Sequence, residues 1–248
     1  MTPFVALLRK ELRVYFGGPL WYLVAAAFLA YTGFYLHSDL VYFLTFGFGM
    51  NIMENLWQLV FFDVRLVLIL SIPLLTMGLL AEERRLGTLE LLLTYPLSDQ
   101  AVVAAKFVAC LVAVGALLAA TTTYPALIYA VQPFALPPIA AGYLGLLLLS
   151  STCIAYGLFV SSLTSSQVLA GFLTVMPLFL LWLLSWNEAA VGADTVTILR
   201  ALSLFDHFQS FSVGVIEVRD VFYFLALTAG FWWGTLRVLE ARQWRGRR

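Results

Sequence analysis

The residues that most often carry catalysis are few in this sequence of 248 residues. It contains two histidines, His37 and His207, and two cysteines, Cys110 and Cys153. No HExxH, GxSxG or GxxxxGK[ST] pattern occurs, so neither a zinc or serine hydrolase nor a phosphate-binding loop is predicted. The cysteines lack metal-ligand spacing and are interpreted as small apolar packing residues. We therefore expect no catalytic residue, cofactor or metal ligand in this chain.

Charge is concentrated instead in one stretch, AEERRLGTLELLLTYPLSDQ at 81–100. It stands out because the chain is only 11% charged and 62% apolar. Leucines recur at helical spacing through it, which predicts one amphipathic helix from Glu82 to Thr94, with Pro96 ending it and Ser98 capping the next helix. The helix is either a solvated connector or a docking surface for a cytoplasmic protein. Its charged residues are Glu82, Glu83, Arg84, Arg85 and Glu90.

The elements around this stretch are predicted to be membrane-spanning helices. The mean hydropathy of +0.93 is far above that of a soluble domain, and a spanning helix needs about 20 mostly apolar residues. No run alternates with period two, so helices rather than barrel strands are predicted. A removable signal peptide is not expected, since the first run leads into a multispanning chain. Six runs qualify: Trp21–Leu36, Leu59–Leu80, Phe107–Val131, Ile139–Val160, Val168–Trp186 and Val221–Leu236.

Lysine and arginine set the predicted orientation. Segments 1–19, 81–106 and 237–248 hold most of the basic residues, and all three fall on one side if there are six spans. The positive-inside rule then places both termini and segment 81–106 in the cytoplasm. Segment 187–220 would face the outside.

Two shorter segments are predicted to lie along the membrane. Residues 1–19 fit an interfacial amphipathic elbow helix that ends at Gly17-Gly18-Pro19. In segment 187–220, a short re-entrant or interfacial helix is predicted, packed on protein through Leu204, Phe205, Phe208 and Phe211. The predicted polar face of the elbow helix is formed by Arg9, Lys10, Glu11 and Arg13.

Two charges, Asp63 and Arg65, fall inside a predicted span, within about two turns of its outer end. They are two residues apart, so they do not face each other on a helix. They either anchor the helix or pair with a neighbouring helix, or they line a substrate path. The spans contain almost no other ionisable residue, which disfavours a proton- or sodium-coupled secondary transporter.

The stretch EERRLGTLELLLTYPLSDQAVVAAK, 82–106, closely resembles the cytoplasmic loop motif of ABC-2-type permeases, the membrane subunits of ATP-binding-cassette exporters. KELRVYFGGPLWY, 10–22, resembles the elbow helix of that family, and LSLFDHFQSFSVGVIEVRDVFYF, 202–224, resembles the segment before its last span. The likeness covers nearly the whole chain and is strongest to gliding-motility and copper-enzyme-maturation permeases. The positions that match the loop motif are Glu82, Glu83, Arg84, Gly87, Thr88, Glu90, Pro96 and Lys106.

The resemblance implies one all-α integral membrane domain over 1–248. It would have six transmembrane helices, an elbow helix at 1–19, a cytoplasmic coupling helix at 82–98 after span two, and a re-entrant segment at 187–220 before span six. The implied setting is a bacterial inner membrane, with both termini cytoplasmic and lipids but no nucleic acid as partners.

The resemblance also implies partners and a function. It implies a dimer with an identical or related permease chain and separate ATPase subunits that bind ATP and Mg. The implied function is ATP-driven export of an unidentified substrate, and the alternative is a force transducer acting on an external or periplasmic protein. The implied residues of ATPase contact or coupling are Glu82, Glu83, Arg84, Arg85, Thr88 and Glu90.

Overall fold

The computed structural model describes residues 3–46, 52–88, 98–186 and 203–245, and every regular element in these ranges is an α-helix. The all-helical prediction is therefore confirmed for the part of the chain that is described. The helices are α1 (Pro3–Gly17), α2 (Pro19–Phe46), α3 (Ile52–Thr76), α4 (Ala81–Arg85), α5 (Asp99–Thr121), α6 (Thr123–Val131), α7 (Leu136–Leu163), α8 (Gln167–Trp186), α9 (Leu204–Ser212) and α10 (Val218–Arg245).

Within the described ranges, five segments are long and apolar enough to cross a bilayer. They contain five of the six predicted spans, which confirms a membrane-spanning helical chain. The remaining predicted span, Val168–Trp186, lies in α8, whose apolar part Gln167–Leu183 is shorter than the others. A count of six spans therefore stays a prediction. The five segments are Pro19–Phe46, Asn55–Arg85, Asp99–Val131, Leu136–Leu163 and Val218–Ala241.

Helix α7 is the central packing element, since it contacts α3, α5, α8, α9 and α10. Glycines on its surface allow this close approach. Gly142 faces the ring of Phe61, Gly145 faces Phe211 and Gly157 faces Thr76, with no room for a side chain at any of the three. Helices in lipid gain little from the hydrophobic effect, so such close backbone approach is a main source of their association.

The chain bends between the end of α3 and the start of α4, and Ser161 of α7 stabilises the bend. Its hydroxyl accepts hydrogen bonds from the backbone N–H groups of Leu80 and Ala81, each at 3.0 Å. The same hydroxyl donates to the carbonyl of Met77 at 3.1 Å. The N–H groups at the start of a helix and the carbonyls at the end of one have no partner within that helix, and these bonds provide one. The first turn of α4 is thereby fixed to α7.

Helix α4 is shorter than the helix predicted from Glu82 to Thr94. It ends at Arg85, and Gly87 then adopts a left-handed backbone with a φ of 68°. The Gly87 N–H donates to the Arg84 carbonyl at 3.2 Å, a common way for a helix to end. The prediction of one continuous helix was wrong. Leucine spacing carries no information about backbone conformation, and Gly87 lies outside the right-handed helical region. Residues 89–97 lie outside the described ranges.

The predicted cap on the helix after this segment is confirmed. The Ser98 hydroxyl accepts a hydrogen bond from the Ala101 N–H at 3.3 Å, and α5 begins at Asp99. This bond satisfies one of the free donors at the start of the helix.

The short helix predicted before the last span is also present, as α9. Its residues Leu204, Phe205, Phe208 and Phe211 are all buried, as their shared face predicts. The N-terminal part of the predicted segment, 187–202, lies outside the described ranges.

Arg65 of α3 pairs with α9, in agreement with one of its two interpretations. Its Nη1 donates to the Phe205 carbonyl at 3.2 Å, and its guanidinium lies 4.8 to 5.6 Å from the ring centres of Phe62, Phe205 and Phe208. Aromatic faces attract a cation, which lets this side chain be 95% buried. Helix α3 begins at Ile52, so Arg65 lies more than about three turns from the start of the helix.

The contact of α7 with α3 predicts opposite outcomes for two Gly→Ala substitutions. A methyl group at Gly157 would lie 2.8 Å from Thr76 Cβ, whereas one at Gly115 would have no atom within 4 Å. We expect G157A to lower the free energy of unfolding by about 1–3 kcal/mol through overpacking. G115A should raise it slightly, since alanine is the better helix former. Melting temperatures in detergent measure both effects, and equal values would contradict this packing.

Candidate functional site: a buried ion cluster that joins three helices

Helix α1 lies along α5 and buries an acidic residue there. Leu7 of α1 is buried against Val102 and Ala105 of α5. Glu11 follows one turn later on the same stripe and is only 5% exposed. The prediction that Glu11 belongs to the polar face was therefore wrong, because residues four apart share a helix face. The other predicted polar residues of α1 are exposed: Arg9, Lys10 and Arg13.

Lys106 of α5 is the centre of the cluster. It is 2% exposed, and its Nζ lies 2.9 Å from Glu83 Oε1 of α4 and 3.2 Å from Glu11 Oε1 of α1. A buried ammonium keeps its charge only when carboxylates compensate for the lost water. The ammonium therefore holds α1, α4 and α5 together at one point.

Lys10 lies at the rim of the same cluster. Its Nζ is 3.3 Å from Glu83 Oε1 and 3.4 Å from Glu11 Oε1, while its side chain stays half exposed. Burial by itself lowers the pKa of Lys10, but the nearby Glu11 and Glu83 carboxylates outweigh it and raise that pKa above the usual value. Lys10 therefore stays charged at neutral pH, and its attraction is lost only as pH rises through the raised pKa. Its exposure keeps this contribution small.

The other predicted coupling residues fall into two groups. Arg84 Nη1 donates to the Leu163 carbonyl at the end of α7 at 3.0 Å, and the Thr88 hydroxyl donates to the Glu83 carbonyl at 3.2 Å. With Glu83, these residues position α4. Glu82 and Arg85 instead are exposed and lie 3.9 Å apart, so they present charge to the solvent. Glu90 lies outside the described ranges.

Two residues of the cluster, Glu11 and Lys106, were not predicted to meet. Lys106 was noted only as a match to a family motif, and Glu11 only as part of a polar face. The signal in the sequence was weak: a lone acid four residues after a buried leucine, and a lone lysine at the edge of a long apolar run. Their pairing depends on how α1 lies on α5, which neither local pattern contains.

A cleft of about 550 Å³ opens beside the cluster, between α1, the start of α2 and the bend after α3. Glu11, Glu83 and Lys106 contribute to its charged wall. The second carboxylate oxygen of Glu83, Oε2, is buried without a hydrogen-bond partner among the described residues. The apolar wall of the cleft includes Val14, Leu20, Trp21 and Leu74.

Both cysteines and His207 make packing or hydrogen-bonding contacts inside the helical bundle. Cys110 and Cys153 are free thiols buried in the apolar core, as predicted for packing residues. His207 Nδ1 lies 2.7 Å from Asp220 Oδ1, which ties α9 to α10. Within the described ranges, no group of three or more His, Cys, Asp or Glu residues could hold a metal ion.

The fold and the cluster define a polytopic helical membrane protein with a charged junction at one end of its bundle. A family model of ABC-2 family transporter proteins matches residues 21–222. The match covers most of the chain, so the protein belongs to this family, whose members are membrane components of ABC transporters. No curated protein matches the chain. The family inferred from the sequence is thus confirmed, while the gliding-motility and copper-enzyme-maturation subgroup stays a prediction.

Replacing Lys106 should reveal the free-energy cost of burying the carboxylates of Glu11 and Glu83 without a neutralising charge. K106M keeps an apolar chain of similar length but leaves Glu11 and Glu83 buried without their main partner. We expect a loss of about 3 kcal/mol in the free energy of unfolding, seen as a lower melting temperature in detergent. K106M/E11Q should recover part of this loss, because one buried charge has been removed.

The matched control is K10M, because Lys10 bonds the same carboxylates from a half-exposed position. This variant should lose less than about 1 kcal/mol. Equal losses in K10M and K106M would mean that the cluster is not held by its buried ammonium.

Proposed function

We propose that this chain is the membrane subunit of an exporter-class ABC transporter, in which ATP hydrolysis on separate ATPase subunits drives a substrate across the membrane. Membership of the ABC-2 family supports a membrane component of such a transporter. The absence of a GxxxxGK[ST] pattern from the sequence fits ATP and Mg bound by another chain. The expected assembly is a dimer of this chain with itself or a related chain.

The buried ion cluster is the observation that best supports coupling. A displaced α4 would pull on Lys106 through Glu83, and hence on α5 and α1. It would also pull on α7 through Ser161 and Arg84. Helix α4 therefore belongs to a rigid group of helices. A force applied there moves the group rather than bending one loop.

The exposed charges beside the cluster are the proposed contact with the ATPase subunit. Glu82 and Arg85 are suited to direct contact, while Glu83, Arg84 and Thr88 hold the contact geometry. Glu90 is assigned to the contact by resemblance alone. Exposed Arg9, Lys10 and Arg13 on α1 give the elbow helix a basic surface that suits anionic lipid headgroups or the same partner.

The proposed mechanism is a population shift between two arrangements of the helices. Closure of two ATP-bound ATPase subunits favours one position of α4 and α1, and hydrolysis releases it. In the proposed topology the chain has six spans and lies in a bacterial inner membrane, with both termini in the cytoplasm.

A second candidate function is force transduction to an external or periplasmic protein. The contact between Arg65 and α9 favours it, because α3 then carries α4 at one end and holds the external helix α9 at the other. Motion that enters at α4 would reach the outer surface without a substrate path.

The experiment that separates these functions is purification of the chain from its native membrane in mild detergent, followed by mass spectrometry of what co-purifies. A co-purifying ATP-binding-cassette subunit would support the ABC transporter assignment. An additional external protein would favour force transduction. Purification of the chain alone under several mild conditions would contradict ATPase coupling.

Charge reversal at the proposed contact tests the roles of Glu82 and Arg85. R85E should reduce the co-purified ATPase subunit about tenfold, since it places a like charge where an opposite one is needed. R85E/E82R restores the local ion pair with its polarity exchanged, so it should fail equally if these charges face a partner.

The control for this reversal is R237E/E240R on α10, where another exposed pair lies 2.9 Å apart. It should leave ATPase association unchanged. Recovery of association in R85E/E82R would show that only the local pair matters, and would remove these two residues from the contact.

A further inference from the structure

The cleft of about 550 Å³ beside the ion cluster lies where two spanning segments meet one face of the bilayer. Leu20 and Trp21 line it from the start of α2, and Leu74 and Leu75 line it from the last turn of α3. Helix α3 returns across the membrane that α2 has crossed, so its end lies at the same face as the start of α2. Tryptophan is enriched at the level of the lipid headgroups, which is where this cleft lies.

Two side-chain hydrogen bonds fix the walls of the cleft. The Tyr15 hydroxyl of α1 donates to the Leu75 carbonyl at 2.8 Å, which joins α1 to the end of α3. The Trp21 Nε1 donates to the Ala113 carbonyl at 3.3 Å, which joins the start of α2 to α5. The cleft is therefore formed before a ligand binds, as most small-molecule sites are.

The apolar wall of the cleft is open to the lipid. Its residues Val14, Leu20 and Leu74 are all exposed. Val14 lies one turn after Lys10 on α1, so the two side chains share a helix face and the apolar wall adjoins the charged wall. An occupant must therefore carry hydrocarbon and a polar group next to each other.

The charged wall of the cleft offers one carboxylate and one ammonium group to an occupant. Glu82 is exposed, and its Oε1 lies 3.9 Å from Arg85 Nη2, which is beyond hydrogen-bond distance. The Lys10 ammonium carries three N–H groups, of which two can serve its contacts with Glu11 and Glu83. The third has no partner among the described residues. An occupant can therefore donate to Glu82 and accept from Lys10.

The sum of the charges favours a headgroup that carries both signs. An anionic headgroup, such as that of phosphatidylglycerol, is disfavoured by a wall of net charge −1, and the quaternary ammonium of phosphatidylcholine has no N–H to donate. A primary ammonium beside a phosphate matches both groups of the wall. The ionisable residues among the described lining are three carboxylates and two ammonium groups: Glu11, Glu82, Glu83, Lys10 and Lys106.

We propose that this cleft binds one phospholipid with an ethanolamine headgroup. The ammonium of the lipid donates to Glu82, and its phosphate accepts from Lys10. One acyl chain packs along Val14 and Leu74. The bound headgroup adds a second connection between α4 and α1, beside the one through Lys106. This inference rests on the membrane-spanning fold and not on ATPase coupling.

The test is native mass spectrometry of the full chain, purified, stripped of lipid and kept without any ATPase subunit. The chain is mixed with equal amounts of dioleoyl phosphatidylethanolamine, phosphatidylcholine and phosphatidylglycerol. We expect one retained lipid per chain, with phosphatidylethanolamine bound about fivefold more tightly than the other two. E82Q keeps the size of the side chain but loses its charge, and should remove this preference. V14W fills the apolar part of the cleft and should weaken binding of all three lipids.

Two matched controls lie outside the cleft. E240Q changes an exposed carboxylate on α10 that pairs with Arg237 at 2.9 Å and does not line the cleft. V112W enlarges an exposed valine on α5 that does not line it either. Both variants should bind the three lipids as the wild-type chain does.

The proposal is wrong if the wild-type chain retains no lipid or retains the three lipids equally. Stronger retention of phosphatidylglycerol would instead assign the cleft to an anionic lipid. An unchanged preference for phosphatidylethanolamine in E82Q, at the wild-type melting temperature, would also overturn it. Loss of ATPase association would leave these measurements unchanged, because no ATPase subunit is present in them.

Discussion

The need to neutralise a buried ammonium constrains the end of this structure at which α1, α4 and α5 meet. At 2% exposure, Lys106 cannot rely on water, so carboxylates must reach it from other parts of the chain. Glu83 reaches it only if the chain bends after α3, and Glu11 only if α1 lies flat along α5. The charge of Lys106 thus helps to fix the positions of α1, α4 and α5 relative to one another. Apolar packing is non-directional and specifies these positions less strictly.

Helix α3 joins this junction to the opposite end of the bundle. At its end, Ser161 pairs the backbone of the bend, and nearer its start Arg65 holds α9 through a carbonyl and aromatic faces. Both contacts join polar groups that are buried among apolar helices. Loss of a hydrogen-bond partner there lowers the stability of the fold. They resist independent movement of the two ends. Helix α3 is therefore held to neighbouring helices both near its start and just after its end.

The parts of this fold that the sequence predicts are those that depend on local composition. Hydropathy locates the spanning helices, and the shared face of Leu204, Phe205, Phe208 and Phe211 predicts α9, because each is a property of neighbouring residues. The early end of α4 was missed because Gly87 acts through its backbone. The burial of Glu11 was missed because it depends on Lys106, which is 95 residues away. Long-range pairing of single charges has no local pattern.

The two ends of the bundle differ in how they can recognise a partner. At the α4 end, Glu82 and Arg85 are exposed beside the cluster of Lys106, Glu11 and Glu83, and they lie 3.9 Å from each other. Contacts between exposed charges associate and dissociate quickly and are weakened by salt. At the other end, a cavity of about 470 Å³ lined by the rings of Trp57, Phe61 and Phe134 has no charged residue in its described lining. A contact in this cavity would depend on shape complementarity and apolar packing, and it would respond less to salt than one made through Glu82 and Arg85.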